Sequence, residues 1–335
     1  MEYVRLGTTG TKVSRLCLGT MAFGSTQEWM LKEQDRLPVF KKAYESGINF
    51  FDTANVYSLG ETEQILGKLL KEVGANRDEM VIATKVYMPM GQRPNQSGLS
   101  RKHIFASIDA SLKRLGMEYV DLFQIHRFDY ETPIEETLSA LTDVVRAGKA
   151  RYIGGSAMFS WQLAKYLYLA DRHGLVRFVT MQNFYNLAYR EEEREMIPLC
   201  MEEGVGLIPF SPLAGGFLVG NRETGTPRAK MLAHLPYLKR PEDQAVTQAL
   251  REVASKRSES PAAVAIAWML SKPWITAPII GFSKLAHLDP PLKALSLKLE
   301  PEEIAVLEAP YVTQPPIGPL RRGETLPIPP GRRAN

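Results

Sequence analysis

The chain has 335 residues, 44% hydrophobic and 23% charged, enough to bury a large core without disulfide or metal staples. Its formal charge of +4 is partly local, because residues 311–335 carry Arg321, Arg322, Arg332 and Arg333 against Glu324. The rest is close to neutral, which excludes a nucleic-acid footprint, and Cys17 and Cys200 sit in apolar stretches, as small buried hydrophobes do.

The opening residues carry no basic stretch followed by an apolar core, so no signal peptide is expected. No apolar run is long enough for a bilayer, and a cytoplasmic location is the expectation. Tyr3–Leu6 and Lys12–Arg15 flank the turn-forming GTTG and predict a β-hairpin. Short apolar runs then alternate with longer amphipathic ones. The predicted strands are Leu16–Gly19, Ile48–Asp52, Met80–Lys85, Val120–His126, Ala150–Gly155, Phe178–Gln182, Val205–Phe210 and Ala277–Gly281. The predicted helices are Glu33–Glu45, Glu61–Glu72, Arg101–Leu115, Ile134–Ala147, Trp161–His173, Glu191–Glu203, Pro261–Leu270 and Leu285–Leu295. Gly47 and Gly148 fit left-handed positions after two of these helices. Ser260-Pro261 fits a cap and first turn.

Alternation of this kind implies parallel βαβ units in an α/β fold. A doubly wound sheet would want GxGxxG after an early strand, and neither that motif nor GxxxxGK[ST] is present. The sequence therefore predicts a (β/α)8 TIM barrel as one domain over residues 1–310. Residues 214–240 are too long for a plain connection and read as a loop or lid after the seventh strand. Residues 311–335 form a Pro- and Arg-rich tail, draped over the barrel or disordered.

In such a barrel the chemistry belongs at the C-terminal ends of the strands. Those positions are Gly19-Thr20-Met21, Asp52, Lys85, His126, Ser156, Gln182-Asn183, Phe210-Ser211 and Gly281. Singly, each has a structural explanation: Asp52 as a cap, Tyr57 as a loop aromatic, Lys85 as a solvated lysine, His126 as a satisfied buried histidine. Together, Asp52, Tyr57, Lys85 and His126 make a catalytic set. A tyrosine hydroxyl ordinarily titrates near pH 10. An ammonium beside it is expected to draw it toward the working range. Asp52 would hold Lys85, and His126 would donate to a substrate oxygen. Protonation of a carbonyl oxygen by Tyr57 beside a hydride transfer requires a nicotinamide cofactor, since no side chain supplies hydride.

These motifs resemble the aldo-keto reductase family over nearly the whole chain. GINFFDTANVYSLGETEQILG (residues 47–67) carries Asp52 and Tyr57, followed by VIATKV with Lys85, DLFQIHR with His126, IGGS with Ser156, MQNFYN with Gln182, and IPFSPLAGG from Ile208. The resemblance implies that Ser156 and Gln182 hold the nicotinamide carboxamide and that Phe210, where a tyrosine is common, stacks on its ring. Gly19, Thr20, Met21 and Gly281 would lie beside the cofactor, and Ser211, Leu213, Gly215 and Arg222 along its pyrophosphate. Ser283, Lys284 and His287 would meet a 2′-phosphate, favouring NADP(H) over NAD(H). Pro290-Pro291 stand where the family often has an acidic residue and an asparagine at the adenine.

Phe23, Trp29, Tyr87 and Arg127, with Tyr57 and His126, are the candidate substrate residues. The long-loop form resembles the aryl-alcohol dehydrogenase-like and ketone-reducing branch, which implies an aromatic or polycyclic carbonyl. A cofactor-sensing binding module on the same fold is the alternative, and a metal-free isomerase or lyase, using Asp52, Lys85 and His126 for proton transfers without hydride, a third reading. No metal site is expected, since His103, His126, His173, His234 and His287 form no ligand pair. A small-molecule substrate, with no nucleic-acid or membrane partner, completes the expectation; oligomeric state is not legible.

Overall fold

Strand alternation sends each successive side chain to an opposite face, so a strand in a barrel covered by helices has two apolar faces. Phe50 and Phe51 show the result: both are fully buried, the first in a cluster inside the barrel and the second in the core outside it. The computed structural model describes residues 1–220, 240–319, 321 and 323. Strands β1 (Tyr3–Arg5) and β2 (Lys12–Ser14) pair antiparallel as the expected hairpin. Then come β3 (Cys17–Gly19), β4 (Phe50–Asp52), β5 (Val81–Val86), β6 (Val120–Ile125) and β7 (Ala150–Ser156). They are followed by β8 (Phe178–Gln182), β9 (Gly206–Leu207) and β10 (Ile279–Gly281).

These eight form one parallel sheet in the order β10-β3-β4-β5-β6-β7-β8-β9. Parallel bridges from Leu207 to Ile275 and from Phe210 to Ile279 join its two ends, closing the (β/α)8 barrel. β9 is shorter than the predicted run because Pro209 has no N–H to donate to a ladder. Its carbonyl still accepts from Ile279 N at 2.8 Å, which holds the seam.

The surrounding helices are α1 (Glu33–Glu45), α2 (Glu61–Glu72), α3 (Arg101–Leu115), α4 (Ile134–Arg146) and α5 (Ser160–His173). After them come α6 (Met196–Glu202), α7 (Pro241–Lys256), α8 (Pro261–Leu270), α9 (Asp289–Ala294) and α10 (Pro301–Glu308). Two predicted helices are interrupted. The first begins as a 3-10 turn at Glu191–Glu193 and restarts at Met196, so Pro198 falls in a first turn, where its missing N–H costs nothing. The second is a 3-10 turn at Leu285–Leu288 before α9, whose first turn takes Pro290 and Pro291. Two helices were not anticipated, α7 and α10; both start on a proline and lie outside the strand–helix alternation.

The floor of the barrel is plugged by the hairpin. Leu6 and Val13 join Cys17, Phe50, Val81, Ala83, Leu122, Ile208, Ala277 and Ile279 in one buried cluster. Gly7 (φ +60°) brings its backbone so close that a Cβ there would stand 2.6 Å from the Val179 carbonyl oxygen. Arg15 donates to the carbonyls of Leu270, Ile275 and Thr276, fastening the hairpin to the segment that enters β10.

The predicted lid, 214–240, is described only at its ends, where Ala214–Val219 makes irregular 3-10 turns; residues 221–239, including Arg222, lie outside the described residues. The first part of the tail is draped on the barrel. The Tyr311 hydroxyl accepts from Arg190 N (2.9 Å) and donates to Glu191 (2.6 Å). Gln314 bonds Glu191 and the Ala188 carbonyl, and Ile317 N donates to Tyr189 Oη at 2.8 Å. Residues 320, 322 and 324–335 lie outside the described residues. Among the described residues no helix is long and apolar enough to cross a membrane.

Candidate active site

Strand register decides which side chains meet. Asp52 pairs with Ala83, Lys85 with Gln124, Gln124 with Gly154, and Ser156 with Gln182. This brings Asp52, Lys85, Gln124 and Gln182 into one buried polar layer above the apolar floor, each at most 3% exposed. Lys85 Nζ makes an ion pair with Asp52 Oδ2, donates to the Thr53 carbonyl at 2.9 Å, and reaches the Tyr57 hydroxyl at 3.4 Å. The other Asp52 oxygen, Oδ1, accepts from Gln124 Nε2 and Gln182 Nε2, both at 3.0 Å. Removing one member of such a buried pair costs about 3–5 kcal/mol, so the layer is also structural.

Tyr57 arrives by a turn, in which Ser58, Leu59 and Gly60 all take positive φ (47°, 52° and 94°). The loop before α1 buttresses it: Thr26 and Ser58 share a hydroxyl contact at 3.1 Å, and Ser25 bonds Glu61. His126 stands edge-on to Tyr57, with ring centroids 5.9 Å apart. The Tyr57 ring also lies 5.1 Å from Lys85 Nζ. All four predicted catalytic residues therefore converge at one mouth.

The electrostatics correct one expectation. Burial pushes the Tyr57 hydroxyl above its ordinary value; the Lys85 charge lowers it, the Asp52 charge raises it, and the balance stays upward. Burial works to lower the Lys85 ammonium, but the charges of Asp52 and Tyr57 outweigh it and Lys85 is raised, hence protonated. His126 is driven well below the ordinary histidine value by burial, then by the charges of Arg127 and Lys85. It is therefore a neutral imidazole at pH 7. An acid held protonated, a fixed ammonium and a neutral donor suit delivery of a proton to an oxygen.

The remaining predicted residues fall in several places. Thr20 spends its backbone N–H and hydroxyl on the Asp52 carbonyl (2.9 and 3.0 Å). Gly19 is required by packing, since a Cβ would stand 2.7 Å from Ile279 Cγ2. Met21 is exposed at the mouth rim, and a Cβ at Gly281 would meet nothing. Ser156 donates to the Gln182 carbonyl at 2.9 Å. The Phe210 ring leans on Phe184, 5.6 Å between centroids. Ser211, Ala214, Gly215 and Gly216 take positive φ, with Leu213 between them. Within this segment Ala214 N donates to the Ser211 carbonyl and Gly216 N to the Leu213 carbonyl, both at 2.9 Å. Ser283 Oγ and His287 Nδ1 are 3.4 Å apart, with Lys284 exposed beside them.

Among the substrate candidates, Phe23 is corrected. It is 1% exposed and packs edge-on to Phe40 in the core outside the barrel, because its short 3-10 turn aims it inward. Trp29 is buried in the same loop. Tyr87 (φ +148°) is half-buried, close enough to Arg127 and Asp129 for their charges to act on its hydroxyl. Arg127 donates to the His126 carbonyl at 2.6 Å, and its charge reaches Tyr57.

Gln124 was missed by sequence reasoning. Its signal was there: it lies two residues before His126, on the same inward strand face. Glu192 and Asn183 were also missed as a pair; they are hydrogen-bonded and buried behind the mouth.

A parallel barrel whose mouth presents an aspartate–lysine–tyrosine chain beside a neutral histidine defines a carbonyl-reducing oxidoreductase. The comparisons agree. The Aldo/keto reductase family model matches residues 15–311. Versiconal hemiacetal acetate reductase of Aspergillus parasiticus is 44% identical, over 93% of this chain and 97% of that protein. Aldo-keto reductase dtxS3 of Metarhizium robertsii is 41% identical over 94% and 92%. A Schizosaccharomyces pombe protein named "Putative aryl-alcohol dehydrogenase C977.14c" is 40% identical over 93% and 96%. The chain belongs to the aldo/keto reductase family. It is an oxidoreductase of a family that generally uses NAD(P)H on small-molecule carbonyls, and the buried polar side chains at the mouth, the Gln182 amide and the Ser156 hydroxyl among them, are of a kind that fits that nucleotide. Among the described residues no group of histidine, cysteine and carboxylate side chains could hold a metal ion.

Proposed function

We propose that the protein reduces an aldehyde or ketone to its alcohol with NADPH, and that Tyr57 is the proton donor. The observation that carries the reading is the Asp52–Lys85–Tyr57 chain beside His126. When bound, a dihydronicotinamide would supply hydride to the carbonyl carbon. Tyr57 delivers its hydroxyl proton to the carbonyl oxygen, and Lys85, held by Asp52, stabilises the phenolate left behind. Neutral His126 donates a hydrogen bond to the same oxygen and orients it.

Ser156 and Gln182 are the proposed carboxamide partners, Phe210 the stacking ring, and Ser211, Leu213, Gly215 and Arg222 the pyrophosphate path, with Gly19, Thr20, Met21 and Gly281 beside it. Half-buried Ser283 beside exposed Lys284 and His287 supports 2′-phosphate recognition and hence NADP(H) over NAD(H). We read residues 1–310 as one domain and 311–335 as its tail. The names of the relatives support an aromatic or polycyclic carbonyl, with Trp29, Tyr87 and Arg127 as its proposed contacts. Tyr57→Phe keeps the ring and removes the proton. It should lower the rate of NADPH oxidation with an aromatic aldehyde or ketone by about 100-fold or more, with the NADP+ dissociation constant within about twofold. A variant retaining most of its activity would mean another group donates. Tight NADPH binding by the unaltered protein, with no consumption across a carbonyl panel, would favour a cofactor-sensing module instead.

A further inference from the structure

Gln124 lies at the centre of the polar layer, fully buried, and the proposed chemistry gives it no step. A carboxylate only accepts hydrogen bonds, so the amide atoms that face Asp52 Oδ1 must be NH2 groups. This fixes the sense of both glutamines. Gln124 donates Nε2 to Asp52 Oδ1 at 3.0 Å, which turns its Oε1 the other way; that oxygen accepts from Gln182 Nε2 at 3.2 Å. Gln182 Nε2 therefore uses one hydrogen on Asp52 Oδ1 (3.0 Å) and the other on Gln124 Oε1. Its own Oε1 is left facing away from the cluster.

The last torsion of a glutamine is broad and soft, so one hydrogen bond sets its sense but not its plane. Asp52 supplies the first bond and Gln124 the second. Space for this arrangement is provided by Gly154 on the neighbouring strand: a Cβ there would stand 2.3 Å from Thr180 Oγ1 and 3.2 Å from Gln124 Cγ. Gln182 is itself anchored through its backbone, whose carbonyl accepts from Ser156 Oγ (2.9 Å) and Ala157 N (3.0 Å). We infer that Gln124 is a positioning residue that locks the Gln182 amide, so that its carbonyl oxygen is presented to the N–H of a bound nicotinamide carboxamide. This rests on the proposal that Gln182 meets that carboxamide.

The test is nucleotide binding, read by tryptophan fluorescence without turnover. Gln124→Met keeps the volume and removes both amide bonds. The dissociation constant for NADP+ should rise roughly tenfold, the size of one lost ordered hydrogen bond. That for 2′-phospho-ADP-ribose, which lacks the nicotinamide, should stay within about twofold. Gln124→Met in a Gln182→Met background should add nothing further. Equal weakening of both nucleotides, or no change in either, overturns the inference. If Gln124→Met does not fold, Gln124→Leu, which also removes both amide bonds, is read by the same ratio, with the same two outcomes. Unaltered protein that takes up neither nucleotide refutes the cofactor reading itself.

Discussion

Burial, with Lys85 and Asp52 acting on Tyr57 in opposite directions, fixes the protonation state on which the chemistry turns. Tyr57 can act as an acid only while it carries its proton, and burial raises the pH at which it is lost. The rate of carbonyl reduction should therefore hold through neutral pH and fall only in the alkaline range. Alcohol oxidation needs the phenolate as base and should climb over the same interval. Steady-state rates in both directions against pH check this; a reduction rate falling already between about pH 7 and 8 would contradict a raised value. The catalytic set was legible in the residues because each member closes a strand or follows one at short range. The direction of the Tyr57 shift was not, since it depends on how far the mouth is desolvated, and that is set by side chains scattered over the whole chain. Phe23 illustrates the same gap. Its place after the first barrel strand suggested the mouth, and a local 3-10 turn sent it into the outer core instead.

The turn from Val56 to Gly60 stores strain beside the proposed proton donor. A left-handed non-glycine residue costs about 1–2 kcal/mol, and Ser58 and Leu59 adopt that conformation in succession. Ser58 is buried against Thr26, whereas Leu59 is 57% exposed and loses little if shortened. Leu59→Asn should raise stability by about 0.5–1 kcal/mol, because asparagine tolerates this region. Urea unfolding checks it; an unchanged or lower midpoint would show that the side chain contributes more than its exposure suggests. Long amphipathic helices such as α2 and α3 follow their predicted bounds to the residue, because their apolar period is clear and, in α3, Ser100 and Gly116 cap the two ends. α7 and α10 escaped because they lie outside the strand–helix alternation used to read the chain. The two interrupted helices show proline opening a new first turn where apolar periodicity alone suggested continuity.

Stability of the whole molecule should depend on pH through two buried groups of opposite sign. Glu192 is pushed up to about 7 by burial, partly offset by its hydrogen bonds to Asn183 and Tyr189. A carboxyl raised in the folded state contributes stability at low pH that is lost as pH rises through about 7. His126, depressed by burial, works the other way and costs stability as pH falls below about 6.5. The two partly offset in mildly acid solution, and above that Glu192 dominates. Glu192→Gln should therefore stabilise the protein at pH 8 by up to roughly 2–3 kcal/mol, with little effect near pH 4.5. Thermal unfolding at both pH values tests this, and an equal shift at the two would remove ionisation as the cause. The barrel itself was legible from alternation. Closure followed from the count of eight strands, but how the seam is held did not, because it relies on isolated bridges and on Pro209.

That seam has a consequence for synthesis. β3 is the first barrel strand to leave the ribosome, and one of its two partners, β10, is the last. At about 5–20 residues per second, its open edge waits on the order of tens of seconds for that partner. During the wait Leu6, Val13 and Cys17 have no closed floor to fill. A nascent chain in this state offers an apolar hairpin and an unpaired edge, the features that chaperones bind and that neighbouring chains on one messenger could join.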